Sequence, residues 1–142
     1  MELLAPAGNF DKLVSAVHFG ADAVYFAGKQ FGLRAFAGNF SNEEIFKAMQ
    51  YLHEHGKKGY ITLNIVARDT DFLSLDEYLR VLVEAKVDAL IVNDLGLISY
   101  ITKNYPMLAV HVSTQTNVNN SRSAQVYVDM GATRIVLARE LN

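Results

Sequence analysis

Six short apolar runs punctuate the chain: ELLAPA (2–7), DAVYFAG (22–28), GYITLNIVA (59–67), DALIVND (88–94), MLAVHVST (107–114) and TRIVLARE (133–140). Most are nearly unbroken in Val, Ile, Leu and Ala, the pattern of parallel strands covered on both faces. The segments between them are amphipathic. Phe10, Leu13, Val14, Val17 and Ala21 fall on one helical stripe, with Asn9 placed to cap it and Gly20 to end it. Ser41 and Glu44 form a capping box ahead of Ile45, Ala48, Met49 and Leu52, and Ser74 and Glu77 form a second ahead of Tyr78, Leu79, Leu82 and Val83. Residues 96–104 and 121–131 read as two further helices, the first stopping before Pro106 and the second at Gly131. The pattern predicts an α/β protein of six parallel strands and five helices in strict alternation.

Such a chain makes either a doubly wound sheet or a (β/α)8 barrel. A doubly wound nucleotide fold usually has a Gly-rich phosphate loop after its first strand, but APAGNF offers one glycine and no GxGxxG follows. The polar residues also favour a barrel. Asn64, Asn93, Asp94, His111, Ser113, Gln115, Arg139 and Glu140 all fall late in their apolar runs, and barrels carry their reactive groups at the C-terminal ends of several strands. A closed barrel takes ~250 residues. Residues 1–142 are therefore expected to be the N-terminal portion of a TIM-like barrel domain, with its first and last strands as free edges that favour self-association.

The run LAVHVSTQT (108–116) sets His111, Ser113 and Gln115 at a spacing of two, hence on one face of a strand. If Val110, Val112 and Thr114 pack on helices, those three residues point into the lumen. The same parity leaves Thr62 and Asn64 inside on the third strand, and Ile91 and Asn93 inside on the fourth. Asn64, Asn93, His111 and Gln115 then converge on one polar cavity. His111 is the acid/base candidate and Gln115 a substrate-orienting one, with Ser113 among the binding residues. A Ser–His dyad is disfavoured, because neighbours two apart on one strand face are ~7 Å apart and no carboxylate is placed to orient the imidazole. Adjacent strand residues face opposite ways, so only one of Arg139 and Glu140 enters the cavity: Arg139 to meet an anion, or Glu140 as a further catalytic candidate.

The net charge of −2 gives no long-range field for nucleic acid. There is no cysteine, so these residues supply no disulfide, no thiolate nucleophile and no cluster ligand. The first residues lack the pattern of a signal peptide, and no apolar run approaches the ~20 residues of a membrane span, so a cytoplasmic protein is expected. The long segment 28–41 reads as a lid or binding loop, with Arg34 for an anion and Phe31 and Phe36 for stacking. His53 and His55 are two apart on a helix and do not face each other, so they read as surface residues rather than a metal pair. Asp69 and Asp71 read as a solvated turn, and Asp94 as a helix cap.

ELLAPAGN (2–9), GADAVYFAG (20–28), LRAFAGNFS (33–41), the DLG of VNDLG (92–96), HVSTQTNVNN (111–120) and VLAREL (136–141) strongly resemble the collagenase-like peptidases of unknown catalytic type. The resemblance covers essentially the whole chain. It implies a TIM-like barrel that continues beyond residue 142. It also implies one of two activities: hydrolysis of peptide bonds, or oxygen-independent hydroxylation of RNA or ubiquinone with a [4Fe–4S] cluster held by cysteines from a later region. A non-catalytic fragment is the third reading. The sequence contains no HExxH, no Cys–His pair and no evident aspartic dyad. The expected partner is thus a peptide or an RNA substrate.

Overall fold

The structure is a computed structural model and describes residues 1–32 and 38–141. Strands β1 (Leu4–Pro6), β2 (Ala23–Ala27), β3 (Lys58–Leu63), β4 (Ala89–Val92), β5 (Val110–Val112) and β6 (Arg134–Ile135) alternate with helices α1 (Phe10–His18), α2 (Asn42–Glu54), α3 (Phe72–Glu84), α4 (Leu95–Asn104) and α5 (Ser121–Asp129). The strands pair in parallel and in sequence order, β1 through β6, as the alternation predicts.

Most helix starts follow the polar signals. Asn9 Oδ1 accepts from Lys12 N at 2.9 Å, Asp94 Oδ1 from Leu97 N at 2.9 Å, and Asn120 Oδ1 from Ser123 N at 2.9 Å. The Ser41–Glu44 box is complete, with Glu44 N donating to Ser41 Oγ and Ser41 N to Glu44 Oε2. The box expected at Ser74 and Glu77 is not the start of α3. Arg68 N donates to Asp71 Oδ2 at 2.7 Å, a single 3₁₀ turn follows, and the helix begins at Phe72. Ser74 is then already inside the first turn, where its hydroxyl donates to the Asp71 carbonyl.

Strand residues divide by parity. Val24, Phe26, Ile61, Leu63, Leu90, Val92, Val110 and Val112 belong to the main core, packed with Leu13, Ile45, Met49, Leu52, Leu75, Leu79, Leu82, Leu97, Ile98 and Ile101 of the helices. The opposite parity forms a second, inner cluster of Ala23, Tyr60 and Ala89, with Leu4, Tyr25, Ile91 and Ala109 against it.

The sheet is strongly curled. In a flat sheet β1 and β6 would lie about 24 Å apart, five strand spacings of ~4.8 Å. Yet Arg134 Nη1 of β6 lies 2.5 Å from Glu2 Oε1, just ahead of β1. The rings of Tyr60 on β3 and His111 on β5 are 4.8 Å apart, although β4 runs between them. Contact between alternate strands is how barrel interiors are layered. The inner cluster therefore lines a lumen, and the sheet is a half-barrel with its helices outside.

Two expected strands are shortened where they leave the ladder. β5 stops at Val112 because Ser113 turns the chain into a 3₁₀ turn, Thr114–Thr116, after which Asn117 adopts φ +57°. β6 then loses its track: it pairs only His111↔Arg134 and Val112↔Ile135. The following residues are tied back by Thr114 Oγ1 to Leu137 O and by Ala138 N to Val118 O.

The contact between β2 and α3 leaves no room for a side chain. A Cβ on Gly28 would overlap the Tyr78 hydroxyl, which is itself buried without a hydrogen-bond partner among the described residues. Gly28→Ala is expected to cost about 1–3 kcal/mol through overpacking. Tyr78→Phe removes the obstructing oxygen and an unsatisfied donor, so Gly28→Ala in that background is expected to cost less than half as much. Urea unfolding of the two single variants and the double variant checks this coupling.

Candidate functional site

The lumen has a lower and an upper part. Low in the strands, four polar side chains share one cluster: Glu2 before β1, Tyr60 on β3, His111 on β5 and Arg134 on β6. The Tyr60 hydroxyl donates to Glu2 Oε2 at 3.0 Å, Arg134 donates to Glu2 Oε1, and the Arg134 guanidinium lies 5.7 Å from the Tyr60 ring centre. The Glu2 carboxyl is held below its ordinary range chiefly by the hydrogen bond from Arg134. Burial and the hydrogen bond to Glu2 raise the Tyr60 hydroxyl. His111 is 7% exposed. Burial first, and the Arg134 charge second, push its pKa down to about 4. At neutral pH His111 is thus an uncharged imidazole and a weak base.

Above this cluster, at the C-terminal ends of the strands, a cavity of about 580 Å³ opens. Tyr25 of β2, Thr62 of β3, and Asn64 just past β3 line it from the sheet; Lys12 of α1, Asn39 before α2, and Gln115 past β5 line it from the connections. Its polar wall consists of carboxamides, hydroxyls and one ammonium, with no carboxylate among the described lining residues. That composition can donate and accept hydrogen bonds toward a neutral ring edge and hold an anionic group at its rim.

Of the residues expected to converge, Asn64 and Gln115 meet at this cavity. His111 faces the lumen as the parity requires, but its ring packs on Tyr60 in the lower cluster. Asn93 follows β4 with its Oδ1 buried and without a hydrogen-bond partner among the described residues. Ser113 is buried, and its hydroxyl oxygen accepts from Gln115 N, a local turn contact. Arg139 and Glu140 do not end a strand. β6 stops at Ile135, and both residues are exposed in a turn beyond it, because the shortened β5 offers no further ladder. Arg34 and Phe36 lie outside the described residues. Phe31 stacks on Tyr78 at 5.3 Å and packs against the main core. His53 Nε2 lies 3.0 Å from Asp88 Oδ2, and His55 Nδ1 lies 2.7 Å from Tyr51 O, so each binds its own neighbour.

Sequence reading missed Glu2, Arg134, Lys12 and Asn39. The first two carried a signal: each is a charge at the beginning of an apolar run, and attention to strand ends alone passes over it. Lys12 and Asn39 sit on a helix and a loop, where no strand parity points to the lumen.

A sequentially wound, curled parallel sheet with outer helices and a polar mouth defines a TIM-type (β/α) barrel segment. Within that class the chain belongs to peptidase family U32, whose family model matches residues 8–142. It is 43% identical over 139 residues to tRNA hydroxylation protein P1 of Bacillus subtilis, covering 98% of this chain and 33% of that protein. It is 41% identical over 141 residues to the uncharacterized protease MJ0090 of Methanocaldococcus jannaschii, covering 99% of this chain and 34% of that one. The chain thus spans about a third of the length of these curated relatives. The solved U32 peptidase Mk0906 superposes with a TM-score of 0.79 at 17% identity, over 96% of this chain and 58% of that chain, a likeness of fold.

The depressed His111 pKa has a definite sign in stability. Unfolded, the imidazole binds a proton below about 6.5; folded, it does so only near 4. Its contribution is present above pH 6.5 and is lost as the pH falls through 4. The imidazole resonances of His111 are expected to stay in the neutral form at pH 5.5. In His111→Gln, the fall in unfolding free energy between pH 7 and 4.5 should be shallower than in the parent.

Proposed function

We propose that this chain is the N-terminal barrel segment of a protein that hydroxylates RNA, and that the mouth cavity receives the base to be modified. The observation that carries this reading is the composition of the cavity wall: Asn39, Asn64 and Gln115 beside Lys12, with no carboxylate among its described residues. Carboxamides pair with the donor and acceptor edges of bases, and a base must leave its stack to be reached. The tRNA-hydroxylation relative supports the same reading.

Peptide-bond hydrolysis is the second reading, favoured by the family's name and the protease-named relative. The lumen supports it less. His111 is neutral and packed on Tyr60, and the Ser113 hydroxyl is used as a turn cap. Without a base–nucleophile hydrogen bond, acyl transfer lacks its activating step.

The resemblance also implies an iron–sulfur cluster. This chain has no cysteine and supplies no thiolate to one. The part of these residues in the reaction is to bind and orient the base. A cytoplasmic location is part of the same proposal, since that is where an RNA substrate would be met. No helix among the described residues is long and apolar enough to cross a membrane.

In the full-length protein, Asn64→Ala with Gln115→Ala is expected to lower hydroxylated-nucleoside yield in tRNA at least tenfold, as read by nucleoside mass spectrometry, with unchanged circular dichroism. Cleavage of gelatin by the parent protein, with no hydroxylation of tRNA by it, would favour the peptidase; unaltered tRNA hydroxylation in the double variant would remove Asn64 and Gln115 from the base site.

Among the described residues β1 pairs only with β2, and β6 only with β5. These two free edges support self-association of the isolated 142-residue chain. Sedimentation at micromolar concentration is expected to show a species heavier than the 15.8 kDa monomer; a clean monomer contradicts the idea.

A further inference from the structure

The chain just past β2 is held in an unusual way. Gly28 bridges to Phe40, and Lys29 N donates to Phe40 O at 2.9 Å. Beyond Lys29, no backbone hydrogen bond holds Gln30, Phe31 or Gly32 among the described residues. Phe31 nevertheless adopts φ +58°, in the left-handed region. A side chain of this bulk rarely enters that region and is strained in it.

What keeps Phe31 there is its ring. It stacks on Tyr78 of α3, with centres 5.3 Å apart and planes at 26°, and it packs against the main core. The seat has defects of its own. The Tyr78 hydroxyl is buried without a hydrogen-bond partner among the described residues, and so is Asn39 Nδ2. Gly32 is pressed against that amide: a Cβ at residue 32 would stand 3.0 Å from both Asn39 Nδ2 and Gly28 O. Ring stacking and burial thus favour the seated arrangement, while a strained φ and two dry, unpaired polar groups oppose it. Opposing contributions of comparable size, concentrated at one side chain, are the condition for two populated states. Stored backbone strain of this kind gathers at clamps and switches.

We infer that Phe31 is a two-state latch beside the mouth cavity: seated on Tyr78, it backs the Asn39 wall through Gly32; released, it relaxes to a negative φ and frees that wall. Asn39 is the residue shared by the two places, since it lines the cavity and lies against Gly32. Release also admits water to the Tyr78 hydroxyl. A ligand shifts such an equilibrium only through contacts that differ between the states. The Asn39 wall is that contact, so an occupant of the cavity favours the seated state. The latch itself is independent of what the cavity binds; only the choice of tRNA as the probe rests on the base-site reading.

The test uses full-length protein with 4-fluorophenylalanine at position 31 alone, followed by fluorine NMR. Separate seated and released signals are expected. Tyr78→Leu, which removes the seat, should leave the released signal; Tyr78→Phe, which keeps the ring and removes the unpaired hydroxyl, should raise the seated share. Phe46→Ala, at a half-exposed ring on α2, should change neither. Saturating tRNA from a strain lacking the gene is expected to move the ratio toward the seated signal by about threefold or more. As a second readout, Phe31→Ala is expected to speed tryptic cleavage after Lys29 by about tenfold, with retained circular dichroism, because cleavage follows the population of the open form. A single signal that Tyr78→Leu leaves in place, or unchanged cleavage in Phe31→Ala, overturns the latch. An unmoved ratio with tRNA bound overturns its coupling to the cavity. If the parent binds no tRNA, the base-site reading fails, while the Tyr78 variants and the cleavage rates still decide the latch.

Discussion

The organisation of this half-barrel depends on a contact between its two ends. Arg134 and Glu2 can meet only if the sheet curls enough to bring its two edges within reach of two long side chains. Once it does, every inner-parity side chain is driven into a shared and narrowing space. That explains the small residues of the inner cluster, Ala23, Ala89 and Ala109, which leave room for Tyr60 and His111 to reach across an intervening strand. It also explains why the polar groups there satisfy one another. Glu2 receives from both Tyr60 and Arg134, so its carboxylate enters the lumen already paired.

The lower cluster and the upper cavity differ in how their polar groups are paired. Below, charges neutralise each other and His111 is kept uncharged by its surroundings. Above, Lys12, Asn39, Asn64 and Gln115 line the mouth cavity. Barrels commonly separate a stabilising end from a reactive one in this way. The separation bears on the choice between hydrolysis and RNA modification. A serine-type proteolytic centre would need a basic imidazole beside a free hydroxyl, whereas His111 belongs to the lower cluster and Ser113 to the backbone turn that ends β5.

The alternation of strands and helices was legible because each apolar run is long relative to the ladder it forms, and because Asn9, Ser41 and Asp94 mark helix starts by local chemistry alone. Parity then placed Asn64 and His111 correctly on the inner face. Strand ends were less legible. An apolar run does not reveal where its neighbour stops, and β6 ends early because Ser113 has already diverted β5. Arg139 and Glu140 were misplaced for that reason. Lys12 and Asn39 reach the cavity from a helix and a loop, through the curl of the sheet and the bridge of Phe40 to Gly28, which no periodicity encodes.

The sequential strand order sets a schedule for folding. Each new strand lies beside the one made just before it, so the sheet can grow unit by unit as the polypeptide emerges from the ribosome. The Glu2–Arg134 bridge is the exception: it joins positions 132 residues apart and has to await β6. Until then Glu2 carries its charge beside a hydrophobic wall with no counter-ion from the far strand. Growth of the sheet is thus local and early, and closure of its base is a distant, late event.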